Sequence, residues 1–220
     1  QFGGGEQHWQ FFMDGRPLEL AESNVTYRVM VRADLRWDDQ VNSATQKARV
    51  AAHSIAKAFI CKDTKTWANL YRTFVRPHIE YAMPAWIPYQ VQHLKKLESV
   101  QRWYTRQIPG IGHLDHETRY KLCGLKSMQS RIDRGIAIET FKIVSGLGPS
   151  KGVKLQHFSH SYETRGRTDG NLEHEKPKGD VRKNSFAVRS PIIWDTVIPA
   201  VRSTTTVNGF KNSFDMMYNH

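Results

Sequence analysis

Few residues in this chain stand together as chemistry requires. Asp38 and Asp39 are adjacent carboxylates, and clustered acids suit a two-metal site that stabilises attacking and leaving oxygens. They also fall at the start of a helical pattern, where acids serve capping and the macrodipole. His113-x-x-His116 with Cys123 supplies three zinc-type donors, but structural zinc takes four ligands and a fourth at sensible spacing is missing. His157, Ser159 and His160 have nucleophile and base chemistry, in a stretch with no helix or strand to fix their geometry. Gly3-Gly4-Gly5 is a short terminal glycine run without the spacing of a phosphate loop. No catalytic residue, metal ligand or cofactor is assigned on these patterns.

What remains is electrostatic. The 220 residues hold 32 Lys and Arg against 21 Asp and Glu, a net charge of +11, which favours a polyanionic partner, nucleic acid before an acidic membrane surface. Arg49, Lys57, Arg72, Arg76, Lys95, Lys96, Arg102, Arg106, Arg131, Arg134, Arg182, Lys183 and Arg189 all lie on or beside predicted helices. Of these, Arg72, Arg76, Lys95, Lys96, Arg102, Arg106, Arg131 and Arg134 are the candidate nucleic-acid contacts, suited to phosphate rather than base edges. No apolar run approaches the ~20 residues that span a bilayer. Cys61 and Cys123 form no C-x-x-C pair, which fits a reduced, intracellular protein.

The elements that must position these cations are mainly helical. Residues from Phe2 to Trp37 read as β: Trp9, Phe11 and Phe12 lead into Asp14-Gly15, a hairpin signal. Val25, Tyr27, Val29 and Val31 alternate like a half-buried strand. Asp38 or Asp39 then caps a helix to about Ile60 with an apolar stripe of Val41, Ala44, Ala48, Ala52, Ile55 and Phe59. A second helix, capped by Asp63 or Thr64, carries Trp67, Leu70, Tyr71, Phe74 and Val75 on one buried face. Pro77 should stop it at Arg76. A third runs from about Gln90 to Ile108 with Val91, Leu94, Leu97, Gln101, Tyr104 and Ile108 inward, and three such helices make a small bundle.

Beyond the bundle, His116 to Cys123 forms a short helix ended by Gly124, and Ser127 caps a longer one to about Ser145 with Met128, Ile132, Ile136, Ile143 and Val144 inward. From Gly148 to Asp180 the pattern dissolves into Gly, Ser, His and alternating charge, a flexible linker. Short helices near Ser185 to Arg189 and from about Val207 to Tyr218 close a mixed helix and loop region.

The run from Leu70 to Trp86, LYRTFVRPHIEYAMPAW, resembles the L-Y-x-x-x-V-R-P-x-x-E-Y-x-x-x-x-W signature in the thumb of non-LTR (LINE-type, jockey-like) retrotransposon reverse transcriptases. The likeness is collinear along nearly the whole chain. Asp34, Leu35 and Trp37 match the end of a palm-to-thumb strand motif, with Arg28-Val29-Met30 in place of Leu-Gly-Val. Leu97 to Gly110 follows the third thumb helix, with Trp103 where an arginine is common, placed either to pack or to stack on a base. Arg131, Arg134, Phe141, Lys142, Ile143 and Gly146 match a later motif in which Ile132 replaces a second arginine. Arg165-Gly166 matches a recurrent dipeptide, and the closing block has Asp195 for Asn and Ile198 for Leu.

The resemblance implies a palm-end β segment at 1–37, a helical thumb at 38–110, a helical extension at 111–148, the linker at 149–180 and a C-terminal helical segment at 181–220. It implies a C-terminal fragment of an RNA-directed DNA polymerase, holding an RNA–DNA hybrid or duplex beside upstream palm and fingers domains. Arg36 stands where the catalytic Y/F-x-D-D of the family has its aromatic, so Mg2+ belongs to the parent polymerase, and this chain alone is expected not to polymerise. No membrane partner is expected, and the parent would reside in nucleus or cytoplasm as a ribonucleoprotein. The rivals are a co-opted helical protein-interaction module and a decayed copy without function.

Overall fold

The computed structural model describes residues 11–19, 21–60, 63–148, 155 and 171–218. The Gly3-Gly4-Gly5 run, Trp9, Cys61, the His157, Ser159 and His160 group and Arg165-Gly166 lie outside them. The fold is mainly α, with two small antiparallel hairpins ahead of the helices. Asp14 (φ 49°) and Gly15 (φ 75°) both take the left-handed conformation of a two-residue turn joining β1 (Phe12–Met13) to β2 (Arg16–Pro17). The single alternating strand expected over Val25 to Val31 is corrected. Tyr27 and Arg28 are left-handed as well and fold it into β3 (Ser23–Thr26) and β4 (Val29–Arg32). Alternation reads which residues share a face but is blind to a reversal between them. Val29 is buried and Val25 exposed.

Helix α1 (Asp38–Ala58) buries Val41, Ala44, Ala48, Ala52 and Ile55. Trp37 occupies its N-cap, so neither aspartate caps; both sit in the first turn, where the dipole favours them. The helix ends before Phe59, which is exposed, contrary to the expected stripe.

The segment after it departs most from expectation. Asp63 caps α2 (Thr64–Leu70) by accepting from the Thr66 N–H at 2.9 Å. The chain then widens into a π turn, Tyr71–Val75, and continues as α3 (Arg76–Glu80). Pro77 therefore does not stop it. The Arg76 N–H reaches back five residues to the Tyr71 carbonyl, and Pro77 falls in the first turn of α3, where a missing N–H costs little. Trp67, Tyr71, Val75 and Ile79 are each fully buried at intervals of four. Steps of four overshoot an α-helical turn by about 40° each, and the wider turn absorbs part of that drift. Two predicted core residues are one position short of this stripe: Phe74 is 54% exposed and Leu70 only half-buried.

A 3₁₀ turn, Met83–Ala85, leads to Trp86, whose Nε1–H donates to the Tyr81 carbonyl at 2.8 Å. Tyr81 in turn donates its hydroxyl to the Tyr27 carbonyl at 3.1 Å, tying the second hairpin to the bundle. Helix α4 (Val91–Arg106) turns Leu97, Gln101 and Tyr104 inward, and Ile108 follows them into the core. Val91, expected inward, is exposed at the helix start, and Leu94 is half-buried. Asp115 caps α5 (His116–Cys123), which ends at left-handed Gly124, and Ser127 caps α6 (Met128–Val144).

Past the described break, α7 (Asp180–Lys183), α8 (Phe186–Thr196), α9 (Pro199–Arg202) and α10 (Val207–Met217) complete the chain. Helix α8 is longer than expected and contains Pro191; burial of Val188 and Trp194 outweighs the hydrogen bond the proline removes. Asn171 and Leu172 are buried rather than loose, and Arg202 donates to Asn171 Oδ1 at 2.8 Å. The end of the stretch expected as linker is therefore packed. One core runs from Val29 to Ile136, and a second joins Ala137, Ile138 and Phe141 to Leu172, Trp194, Val197, Phe210 and Phe214. Helix α6 is the wall they share.

Replacing Ile79 by Ala is expected to cost about 2–5 kcal/mol by chemical denaturation, as large-to-small core changes do. Phe74→Ala is expected to stay within about 0.5 kcal/mol, the range of exposed sites. The reverse ranking would show that the π turn does not set the buried face.

Candidate nucleic-acid interface

The eight candidate cations divide into two groups of four. Lys95, Lys96, Arg102 and Arg106 all lie on α4 and are exposed. The helix is held by its inward residues, so its outward face follows from the helical period. At 100° per residue, Lys95, Ser99, Arg102 and Arg106 fall within about 60° of one another and extend about 16 Å along the axis. Among the described residues none of these four cations belongs to an ion pair. Lys96 donates to Asn42 Oδ1 of α1, and Arg102 Nη2 lies 3.2 Å from His116 Nε2.

Three of the other four, Arg72, Arg131 and Arg134, are not free. Arg72 donates through Nη2 to the carbonyls of Cys123 (2.7 Å) and Gly124 (2.8 Å), satisfying the negative end of α5. Arg131 grips Glu80 with both forks at 2.7 Å. Burial works against its charge, but the Glu80 bonds prevail and its proton is held more tightly than usual. Arg134 makes the same paired contact with Asp215, at 2.5 and 2.6 Å. Arg76 is half-buried and approaches Glu80 only at 3.7 Å. Arg72, Arg131 and Arg134 therefore join helices, and the structure does not place them with the α4 stripe.

Residues not singled out with the eight complete the exposed face. Arg49 of α1 donates to Ser99 Oγ at 3.1 Å. His53 stacks on Trp103 with ring centroids 4.0 Å apart, and Trp103 is packed against the core cluster. Trp103 thus packs, with His53 covering one face of its indole. The four-residue spacing of Arg49, His53 and Lys57 along α1 was the sequence signal for this border.

The acids expected at the start of α1 are committed to structure. Asp38 Oδ1 accepts from His93 Nε2 at 2.9 Å, and that bond holds its carboxyl below the usual range. Asp39 accepts from Arg32 at 3.1 Å, and the Gln40 side chain accepts from the Met30 N–H at 2.9 Å. Together they pin β4 to α1. Among the described residues no three His, Cys, Asp or Glu side chains gather where they would hold a metal. No helix among them is long and apolar enough to cross a membrane. No family model, curated protein or solved structure matches the chain.

The division is measurable. Glu80→Gln should destabilise the fold by about 2–3 kcal/mol, below the 3–5 kcal/mol of a fully buried pair because the partners keep some solvent contact. Arg106→Ala should change stability by less than about 0.5 kcal/mol. Equal losses in thermal or urea unfolding would erase the distinction.

Proposed function

We propose that the chain is the thumb and C-terminal region of a non-LTR retrotransposon reverse transcriptase, and that it holds the primer–template duplex by its phosphates along α4. The observation that carries the reading is the exposed row of Lys95, Arg102 and Arg106, which among the described residues makes no ion pair, bordered by Lys96 and Arg49. It coincides with the helix whose sequence resembles the third thumb helix. Such a row suits a backbone grip: charge along one line, no acidic ion-pair partner among the described residues, and an indole already covered by His53. Catalysis and its Mg2+ would belong to upstream palm and fingers domains, and the native particle would be a ribonucleoprotein of nucleus or cytoplasm.

A protein-interaction module is the second reading. Its support is the apolar exposure of the hairpins, where Phe11, Phe12, Met13 and Leu18 all face solvent. In the polymerase reading the same surface meets the rest of the palm.

Fluorescence anisotropy over a salt series separates the two. The chain should bind an RNA–DNA hybrid and a DNA duplex of one sequence without base preference. Lys95→Ala with Arg106→Ala should flatten the log–log salt slope by about 1.4–1.8, since each phosphate contact contributes about 0.7–0.9. An unchanged slope would remove α4 from any nucleic-acid role and favour the second reading.

A further inference from the structure

A second cationic feature is concave. Arg76, Lys126, Ser130, Arg131, Arg134 and Asp215 line a cavity of about 230 Å³ where α3, the α5–α6 connection, α6 and α10 meet. One water occupies roughly 30 Å³ of liquid, so there is room for a tetrahedral oxyanion and several waters. Four cations line this cavity, and two carboxylates, Asp215 and the adjoining Glu80, answer them. Both carboxylates are already used. Arg131 takes the two oxygens of Glu80 and Arg134 the two of Asp215.

Arg76 and Lys126 are left over. Arg76 reaches only a Glu80 oxygen that Arg131 already holds, at 3.7 Å, and makes no hydrogen bond of its own among the described residues. Its side chain is 27% exposed. Burial first, and the neighbouring Arg131 charge second, weaken its hold on its proton, the mark of a cation placed without its counter-charge. Lys126 donates to a neutral group, the Tyr218 carbonyl, at 3.2 Å. Ser130 lies in the first turn of α6, a helix of 17 residues whose N-terminal end is already answered by Glu98, which accepts from the Met128 N–H at 2.7 Å.

We propose that this cavity binds phosphate as a dianion. Two uncommitted positive charges, one a planar fork and one a point charge, match a doubly charged oxyanion. A carboxylate would satisfy only one of them. Free inorganic phosphate and the terminal phosphomonoester of an oligonucleotide share this chemistry, whereas a phosphodiester within a strand carries a single charge. The site uses none of the α4 residues and stands independently of the polymerase reading.

Calorimetric titration of inorganic phosphate into the chain, at ionic strength held constant with chloride, tests it. One saturable site is expected. Arg76→Gln and Lys126→Met should each weaken it by at least about tenfold, or ~1.4 kcal/mol, while Arg106→Ala leaves it unchanged. Competition by a 5′-phosphorylated oligonucleotide but not its unphosphorylated twin would assign the terminal phosphate as ligand; competition by neither would assign the free ion. Absence of saturable binding by the unaltered chain would overturn the proposal. So would full binding by Lys126→Met, a variant that keeps the test open if Arg76→Gln fails to fold.

Discussion

Trp67 and Tyr104 hold each other in place. The Trp67 indole N–H donates to the Tyr104 carbonyl at 3.0 Å, and the Tyr104 hydroxyl donates to the Trp67 carbonyl at 3.2 Å. Their rings stack at 4.7 Å, and both side chains are fully buried. Each polar tip would otherwise be an unsatisfied donor in the core, at a cost of about 1–3 kcal/mol. Burial also keeps the Tyr104 phenol protonated well above its ordinary range, so the bond persists at every physiological pH. The pair fixes the rotation of α4 about its axis relative to α2. Everything exposed on α4, the cationic row included, follows from that rotation.

The same economy governs charge. A net +11 chain cannot leave every arginine to solvent and still assemble helices whose ends carry unsatisfied carbonyls. Arg72 closes the end of α5, Arg131 ties α6 to α3, and Arg134 ties α6 to α10. Arg119 is drawn in as well; it is buried, and its Nε donates to Thr105 Oγ1 at 3.2 Å. Of the eight candidate cations, the four left exposed all lie on one helix, α4. Helix α6 has the central structural share, since the two cores meet on it and its arginines face α3 and α10.

Much of this was legible in the sequence, for physical reasons that name themselves. The caps Asp63 and Ser127, the glycine stop at Gly124 and the Asp14-Gly15 turn are short-range features, set by local hydrogen bonding and φ. The inward faces of α1 and of most of α4 follow the helical period. The misses come from geometry a period does not encode. A π turn moves the stripe by one residue, which exposes Phe74 and carries the helix past Pro77. A two-residue reversal at Tyr27 and Arg28 divides a strand whose alternation stays intact. The site was half legible. Helical position marks an arginine as facing outward from its own axis, but not whether a carboxylate from another helix, such as Glu80 or Asp215, is waiting there.

That partition of cations is the central claim, and residue-resolved chemical footprinting tests it most directly. The chain would be treated with an arginine-selective and a lysine-selective reagent, with and without an RNA–DNA hybrid, and modified residues located by mass spectrometry. The expected result is that Lys95, Arg102 and Arg106 react readily in the free chain and are shielded by the hybrid. Arg131 and Arg134, clamped by Glu80 and Asp215, should react slowly in both states. Shielding centred on Arg131 and Arg134, with α4 equally reactive throughout, would contradict it.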